Sequence, residues 1–406
     1  MRISAIVSEY NPLHAGHKYH IEKTKEITQC DAVICIMSGN FVQRGEPAII
    51  DKWHRAEMSL NEGIDLVIEL PCIYSLASAE LFAMGAIKIL NKLSVVNYLC
   101  FGSESGNVNK LKKIAYILHS EPEEFKVNLK KNLSYGMSFP SAREKSLFHY
   151  LSNNENLIDD DLSNVLKSSN NILGIEYCKS LIRSSSNITP YTIERIGSDY
   201  NSEEIQKTFS SATAIRKYIK NKNVKEVEPY LTKVSLNMIR ELINKDYDFA
   251  FSEKIFDFIK YKMLTEKYPT IKNLPDCSEG LDNRIYSSLV NSASLAELIN
   301  NTKTKRYTYT RISRLLHQYF IGFETFDIQK IINSDIDYIR VLGLNTKGAE
   351  ILKKLKQNTN INIINKVPKN ILSPMLNLDI LSTKAYSVVN NSIKYNEDYL
   401  KSPIIY

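Results

Sequence analysis

Val7-Ser8-Glu9-Tyr10-Asn11-Pro12-Leu13-His14-Ala15-Gly16-His17 lies between a short apolar run, Ile3–Ser8, and a segment from Gly16 to about Ile27 that reads as a helix. A buried strand ending in a polar turn that opens a helix is the first unit of an open α/β sheet, where ligands bind at the carboxyl ends of the strands. A helix N-terminus at that point offers backbone N–H groups and the positive end of a dipole to a phosphate. Gly16 lets a phosphate approach the main chain. His14 and His17, three residues apart, can point the same way and donate hydrogen bonds to phosphate oxygens, on which charge builds in a transition state. Two plainer readings compete: a pair of surface histidines at a helix start, or a metal site from His14, His17 and His20. The i, i+3, i+6 spacing does not hold three ligands on one face, and no nearby acid completes a set, so no metal site is expected.

Outward from this stretch, strand and helix signals alternate. Ala32–Met37 is a second buried strand closed by Ser38-Gly39, and Asp51 is placed to cap a helix over Lys52–Asn61 with Gly63 as its stop. Leu66–Leu70 is a third strand, Ala77–Leu93 a helix with Leu81, Phe82, Ala86, Ile89 and Leu90 on its apolar side, and Tyr98–Phe101 a fourth strand. Such alternation implies βαβ units, a parallel sheet and right-handed crossovers. After a more polar helical stretch over 107–170, which ends beyond the acidic run Asp159-Asp160-Asp161, come a helix over Ile172–Ile182 and a strand over Thr189–Arg195. Residues 217–228, rich in Lys, Asn and Glu, mark a domain boundary. Beyond it helices dominate, over Ser252–Lys267, Gly280–Asn300, Tyr309–Phe320 and Thr346–Gln357.

Composition narrows the function. Residues 1–200 hold 21 Lys and Arg against 23 Asp and Glu, whereas residues 201–406 hold 31 against 22. A basic C-terminal half suits a polyanionic partner, although Lys-rich composition also simply solvates a surface. No apolar run reaches the roughly 20 residues that span a bilayer, and the opening residues, which lack a basic head and a long apolar region, are not expected to act as a signal peptide. The six cysteines at 30, 35, 72, 100, 178 and 277 form no C-x-x-C pair, which fits a reduced, cytoplasmic chain without a zinc ribbon. The dinucleotide glycine fingerprint and the Walker A loop are both absent.

A second motif follows late in the α/β region. In Phe209-Ser210-Ser211-Ala212-Thr213-Ala214-Ile215-Arg216, Ser211 and Thr213 can cap a helix and bond phosphate, and Arg216 can pair with the β/γ-phosphates through its planar fork. It resembles the S-S-T-x-I-R motif of small-molecule adenylyltransferases, with one residue inserted before Thr213. The H-x-G-H signature of His14–His17 likewise resembles the nucleotidyltransferase and class I aminoacyl-tRNA synthetase superfamily, whose members attack the α-phosphate of ATP and release pyrophosphate.

Longer blocks carry a closer resemblance. Met37-Ser38-Gly39-Asn40-Phe41-Val42-Gln43-Arg44-Gly45-Glu46-Pro47-Ala48, Gly63-Ile64-Asp65-Leu66-Val67-Ile68-Glu69-Leu70-Pro71, Leu99-Cys100-Phe101-Gly102-Ser103-Glu104, Asn170-Asn171-Ile172-Leu173-Gly174-Ile175-Glu176-Tyr177, Ile193-Glu194-Arg195-Ile196-Gly197, Ser278-Glu279-Gly280-Leu281-Asp282-Asn283-Arg284-Ile285, Thr304-Lys305-Arg306-Tyr307-Thr308 and Arg340-Val341-Leu342-Gly343 are ordered across nearly the whole chain. Together they resemble the bacterial tRNA(Met) cytidine acetate ligase family. The resemblance implies a Rossmann-like, HUP-type α/β nucleotidyltransferase domain with a parallel sheet over residues 1–220, followed by a mainly α-helical, basic, tRNA-binding domain over 221–406. It implies a ligase that joins acetate and ATP into acetyl-adenylate and pyrophosphate, then passes the acetyl group to the wobble cytidine amine of elongator tRNA(Met), giving N4-acetylcytidine.

Carried residue by residue, the resemblance places ATP at Val7, Ser8, Glu9, Tyr10, Asn11, Pro12, Leu13, His14, Ala15, Gly16, His17, Lys18, Tyr19 and His20, with Gly102, Asn171, Arg195, Ile196 and Ser211. His14, His17, Lys18 and Arg216 are the catalytic candidates, Lys18 or Arg216 serving the departing pyrophosphate, and Mg²⁺ is expected with the nucleotide. Asn171 could instead be a helix cap, and Arg195 could simply pair with an acid. Gln43 and Arg44 follow the second strand and face the same cleft. Lys52 and Arg55 could hold pyrophosphate or tRNA, or belong to a solvated face. Arg311, Arg314 and Gln318 recur on one helix face, and Lys303, Lys305 and Arg306 interleave with Tyr307 and Tyr309, a pattern suited to phosphate contact and base stacking. Acetate and tRNA are the expected partners, with no membrane and no protein partner inferred. A nicotinate mononucleotide-type adenylyltransferase and a non-catalytic RNA-binding protein with a relict nucleotide site are the alternatives.

Overall fold

The computed structural model describes residues 1–137, 139–154, 162–195, 211–221 and 223–406. Asp159-Asp160-Asp161, Ile196, Gly197, Phe209 and Ser210 lie outside them.

The chain opens with β1 (Ile3–Ser8) and α1 (Ala15–Thr28), then β2 (Ala32–Ser38), α2 (Lys52–Asn61), β3 (Leu66–Leu70), α3 (Ala79–Leu93) and β4 (Tyr98–Ser103). All seven residues of β2 and all five of β3 are buried, as required of central strands covered on both faces. Side-chain alternation divides the core. Ile34, Ile36, Leu66 and Ile68 face one apolar cluster, and Val33, Cys35, Met37 and Val67 face the other. The first cluster takes in α3 and, further on, α4 (Ser169–Arg183). The second takes in Ile21 of α1, Ala56 and Leu60 of α2, and Ile215 and Ile219 of α5 (Ala212–Lys220).

β5 (Thr189–Glu194) continues the sheet parallel to β4. The other edge comes from the C-terminal part of the chain. β6 (Tyr338–Leu344) lies antiparallel to β3, while β7 (Asn362–Ile364) and β8 (Ile404–Ile405) lie parallel along its far side. The strand order is β8-β6-β3-β2-β1-β4-β5, with β7 also on β6. The sheet therefore takes strands from both sides of residue 220, and Arg340-Val341-Leu342-Gly343 is part of a buried strand.

Helix Tyr309–Ile321, here α6, packs across the block that follows β2, where a two-residue ribbon pairs Phe41–Val42 with Glu46–Pro47. Ser313 Oγ donates to the Gly45 carbonyl at 2.6 Å, and Gln318 Nε2 donates to the Leu76 carbonyl at 2.8 Å. Gly45 has φ +80°, and a Cβ there would come within 2.4 Å of the Arg314 backbone nitrogen, so only glycine admits this approach. Helix Pro374–Val389 closes on the same block: Tyr386 donates to the Ala48 carbonyl at 2.7 Å, and Asn40 donates to Thr383 at 3.1 Å.

Two expectations are corrected here. Lys52 and Arg55 are neither on a solvated face nor open to phosphate, because both side chains are fully buried. Lys52 Nζ sits 2.8 Å from Glu69 Oε1 and 2.8 Å from Asp398 Oδ1. Arg55 donates to the carbonyls of Ile50 (2.8 Å), Glu9 (2.6 Å), Ser38 (3.1 Å) and Gly39, tying together the carboxyl ends of β1 and β2. Gln318, expected beside Arg311 and Arg314 on an outward face, is buried against Leu76 because that side of α6 docks on the sheet domain.

Candidate active site

α1 begins with a reciprocal cap made by the two histidines of the motif. Gly16 N–H donates to His14 Nδ1 at 3.1 Å, and His14 N–H donates to His17 Nδ1 at 3.2 Å. Each Nδ1 is thus an acceptor, so each neutral ring carries its hydrogen on Nε2. The rings lie 3.8 Å apart at 33°, and Tyr10 meets His17 edge-on at 5.0 Å. Burial, with Arg195 and Arg216 nearby, pulls the His14 pKa down to about 3. Burial, together with His14, Arg195 and His20, puts His17 well below its ordinary value. Two neutral Nε2–H donors therefore line the cleft. Three main-chain N–H groups at the helix start, those of Gly16, His17 and Lys18, are engaged by His14. The imidazoles and the helix dipole therefore carry much of what the helix start presents to an anion.

Around this point the cleft gathers Val7, Ser8, Glu9, Tyr10, Asn11 and His20 from the opening segment, Gly102 and Arg195 from the ends of β4 and β5, and Ser211 and Arg216 from α5. Ser211 caps α5 through Oγ, accepting from Ala214 N–H at 3.1 Å. Arg216 donates to the Asn11 carbonyl at 3.0 Å and to Thr213 Oγ1 at 3.3 Å, and pairs with Glu46 at 2.6 Å. Arg44 donates to the same Thr213 hydroxyl at 3.0 Å. At the other wall, the Arg195 stem crosses Gly102, where a Cβ would sit 3.3 Å from its Cγ.

The remaining candidates lie elsewhere. Pro12 and Leu13 are buried behind the loop. Lys18 turns away to Glu62, 3.2 Å from it. Ala15, Gly16 and Tyr19 are not among the lining residues. Asn171 is committed to a neighbouring loop, its Oδ1 accepting from Ser105 N–H at 3.0 Å, while Asn170 lines the cleft in its place. Phe82, Phe101, Leu173 and Tyr177 supply an apolar wall that sequence reasoning missed. Leu173 and Tyr177 stand four apart on α4, a spacing that reads equally well as core.

Comparison with known proteins now settles the family. The model of the HIGH nucleotidyl transferase family matches residues 1–400. The tRNA(Met) cytidine acetate ligase of Clostridium novyi is 53% identical over 405 residues, covering 100% of this chain and 99% of that protein. One from Clostridium botulinum is 50% identical over 406 residues, covering 100% and 98%. The crystal structure of Thermotoga maritima TmcAL bound with alpha-thio ATP superposes with TM-score 0.90 at 33% identity, covering 100% of this chain and 99% of that one. The chain belongs to the tRNA(Met) cytidine acetate ligase family, within the HIGH nucleotidyl transferases.

For a member of this ligase family, the basic residues near α6 fall into two groups. The side chains of Lys303 and Lys305 are exposed and make no hydrogen bond or ion pair with any described residue, and Arg306 is exposed beside Glu279. Arg311 is anchored instead, donating to the Asp276 carbonyl at 2.9 Å and Ser278 Oγ at 3.2 Å while lying 5.3 Å over the Tyr307 ring. Arg314 is half-buried, and its Nε has no partner among the described residues. Among those residues no three His, Cys, Asp or Glu side chains converge as a metal set, and no helix is long and apolar enough to cross a membrane.

Proposed function

We propose that this protein activates acetate with ATP and transfers the acetyl group to the N4 amine of the wobble cytidine of elongator tRNA(Met), in the cytoplasm. The observation that carries the reading is the pair of neutral Nε2–H donors at the start of α1, in a chain matched end to end by relatives of that name. Acetate is already an anion and needs orientation rather than a base. As its oxygen bonds to the α-phosphorus, negative charge grows on the phosphoryl oxygens, and His14 and His17 stand ready to donate to them without reorganising. Arg216 and Arg44, fixed by Thr213, supply positive charge for the departing pyrophosphate. Mg²⁺ would travel with the phosphates and would offset charge on the leaving group.

The deciding experiment is acetate-dependent ATP–pyrophosphate exchange on the purified protein, with mass analysis of nucleosides from added elongator tRNA(Met). Exchange that requires acetate, with cytidine heavier by one acetyl group, is expected. Exchange with nicotinate mononucleotide but not acetate would replace this reading with a small-molecule adenylyltransferase.

A further inference from the structure

Acetyl transfer releases one proton for each amide formed, and the cleft must accept it. An exocyclic cytosine amine is a weak nucleophile. It becomes strongly acidic as its nitrogen bonds to the acyl carbon, so a base within hydrogen-bond reach speeds the step.

Few lining groups qualify. His14 and His17 have each Nδ1 filled by a backbone N–H and carry hydrogen on Nε2, which leaves no lone pair to offer. His20 has its Nε2 buried, and burial with Arg195 nearby pulls its pKa down to about 4, so it is a weak base. Arginines hold their protons. Glu46 is engaged with Arg216. Glu9 is the one carboxylate among the described lining residues. It stands at the end of β1 with Oε1 accepting the Gln43 N–H at 2.8 Å, whereas Oε2 accepts no hydrogen bond among the described residues.

We propose that Glu9 is the general base of acetyl transfer, a deepening that rests on the acetate–tRNA reading above. As N4 attacks the carbonyl carbon of acetyl-adenylate, Oε2 takes a proton from that nitrogen. The tetrahedral intermediate then expels AMP, and the proton passes from Glu9 to solvent. One C–N bond forms, one acyl C–O bond breaks, and nothing is oxidised or reduced. The environment of the carboxyl group favours proton uptake and release. Burial raises its pKa from the ordinary value, while the Gln43 N–H, Arg44 and Arg216 draw it back and Glu46 adds to the rise. Its location is equally favourable. Gln43 lies two residues before Gly45, the seat of α6, which sets Glu9 on the side of the cleft where the C-terminal half docks.

The test uses Glu9→Gln and Glu9→Asp in the full-length protein. Glutamine keeps an oxygen for the Gln43 N–H, so thermal melts should match wild type. Enzyme loaded with labelled acetate and ATP is mixed with tRNA in a single turnover, and acetate-dependent exchange is measured alongside. Glu9→Gln is expected to slow transfer by ~10²–10⁴-fold and exchange by far less. Its transfer rate should also lose the acid limb of the wild-type pH profile, and Glu9→Asp should restore part of it. Transfer within a few-fold of wild type, or equal losses in both half-reactions, would overturn the assignment. Failure of wild type to acetylate tRNA at all would instead remove the underlying reading, an outcome visible before any variant is made.

Discussion

At the residue scale, His14 and His17 each do two jobs with two nitrogens. Nδ1 closes the helix cap, and Nε2–H remains for the cleft, where the proposed function puts the phosphate. The spacing in the sequence announces the second job but not the first, because a capping box is ordinarily written with Ser or Thr and Glu or Gln. This separation makes a clean variant possible. His17→Gln retains an acceptor that can reach back to the His14 N–H, so the melting temperature should change little, yet it removes the imidazole donor and should lower adenylate formation by roughly 100-fold or more. Unchanged exchange would take His17 out of the chemistry. The pH behaviour follows from the same burial. In the folded chain His14 titrates near pH 3 and His20 near pH 4, both lowered by burial with Arg195 adding to it, against 6.5 for the ordinary side chain. Between these values the unfolded chain binds more protons than the folded one, so stability is full above 6.5 and falls as pH drops toward 4. The urea midpoint should fall between pH 7 and pH 4.5, and nitrogen chemical shifts should report neutral, Nε2-protonated rings for His14 and His17 at pH 5.5.

At the element scale, local signals predict boundaries well and environments poorly. Asp51 caps α2, accepting from Trp53 and His54 N–H, and the helix covers Lys52–Asn61 as its sequence indicates. The first four strands are likewise legible, since continuous apolar runs between turn residues have few other uses. Gly280–Asn300 reads as one helix but is two, Leu281–Val290 and Leu295–Thr302, because Ser294 caps a second start by accepting from Glu297 N–H at 3.2 Å. β6 escapes notice because Arg340 and Gly343 interrupt its apolar run, and it is pairing with β3 on one side and with β7 and β8 on the other, with Arg340 buried against Asp398, that makes it a strand. Lys52 shows the limit most clearly. On sequence it is a cation in the first turn of an amphipathic helix; in the fold it is sealed between Glu69 of β3 and Asp398, the latter hundreds of residues away in sequence. Lys52→Ala would leave two buried carboxylates without that cation. It should cost about 3–5 kcal/mol, read as a shift of the urea midpoint, far more than a surface lysine would. A loss below about 1 kcal/mol would show the pair to be no stronger than an exposed one.

At the scale of the whole molecule, the two halves meet over residues 40–48, between the nucleotide cleft and the basic surface around α6. Charge asymmetry in the sequence points to the C-terminal half, but not to which cations are available. Arg311 already commits one terminal amino group to Asp276 and Ser278, whereas Lys303 and Lys305 are exposed with their charge uncommitted among the described residues. Exposed lysines of this kind bind a phosphate backbone by releasing counter-ions, so their contribution is read in salt dependence rather than in a structural rearrangement. Lys303→Ala with Lys305→Ala should leave the melt and tRNA-free, acetate-dependent exchange as in wild type. Both substitutions together should weaken tRNA binding and flatten the plot of log Kd against log salt by about one unit per lysine that contacts a phosphate. Arg311→Ala should instead lower stability, because it releases the segment around Asp276 from α6. If the double lysine variant keeps the wild-type salt slope, the RNA does not lie along this edge. The face of α6 that docks on Gly45 would then set the geometry of the cleft without carrying the tRNA.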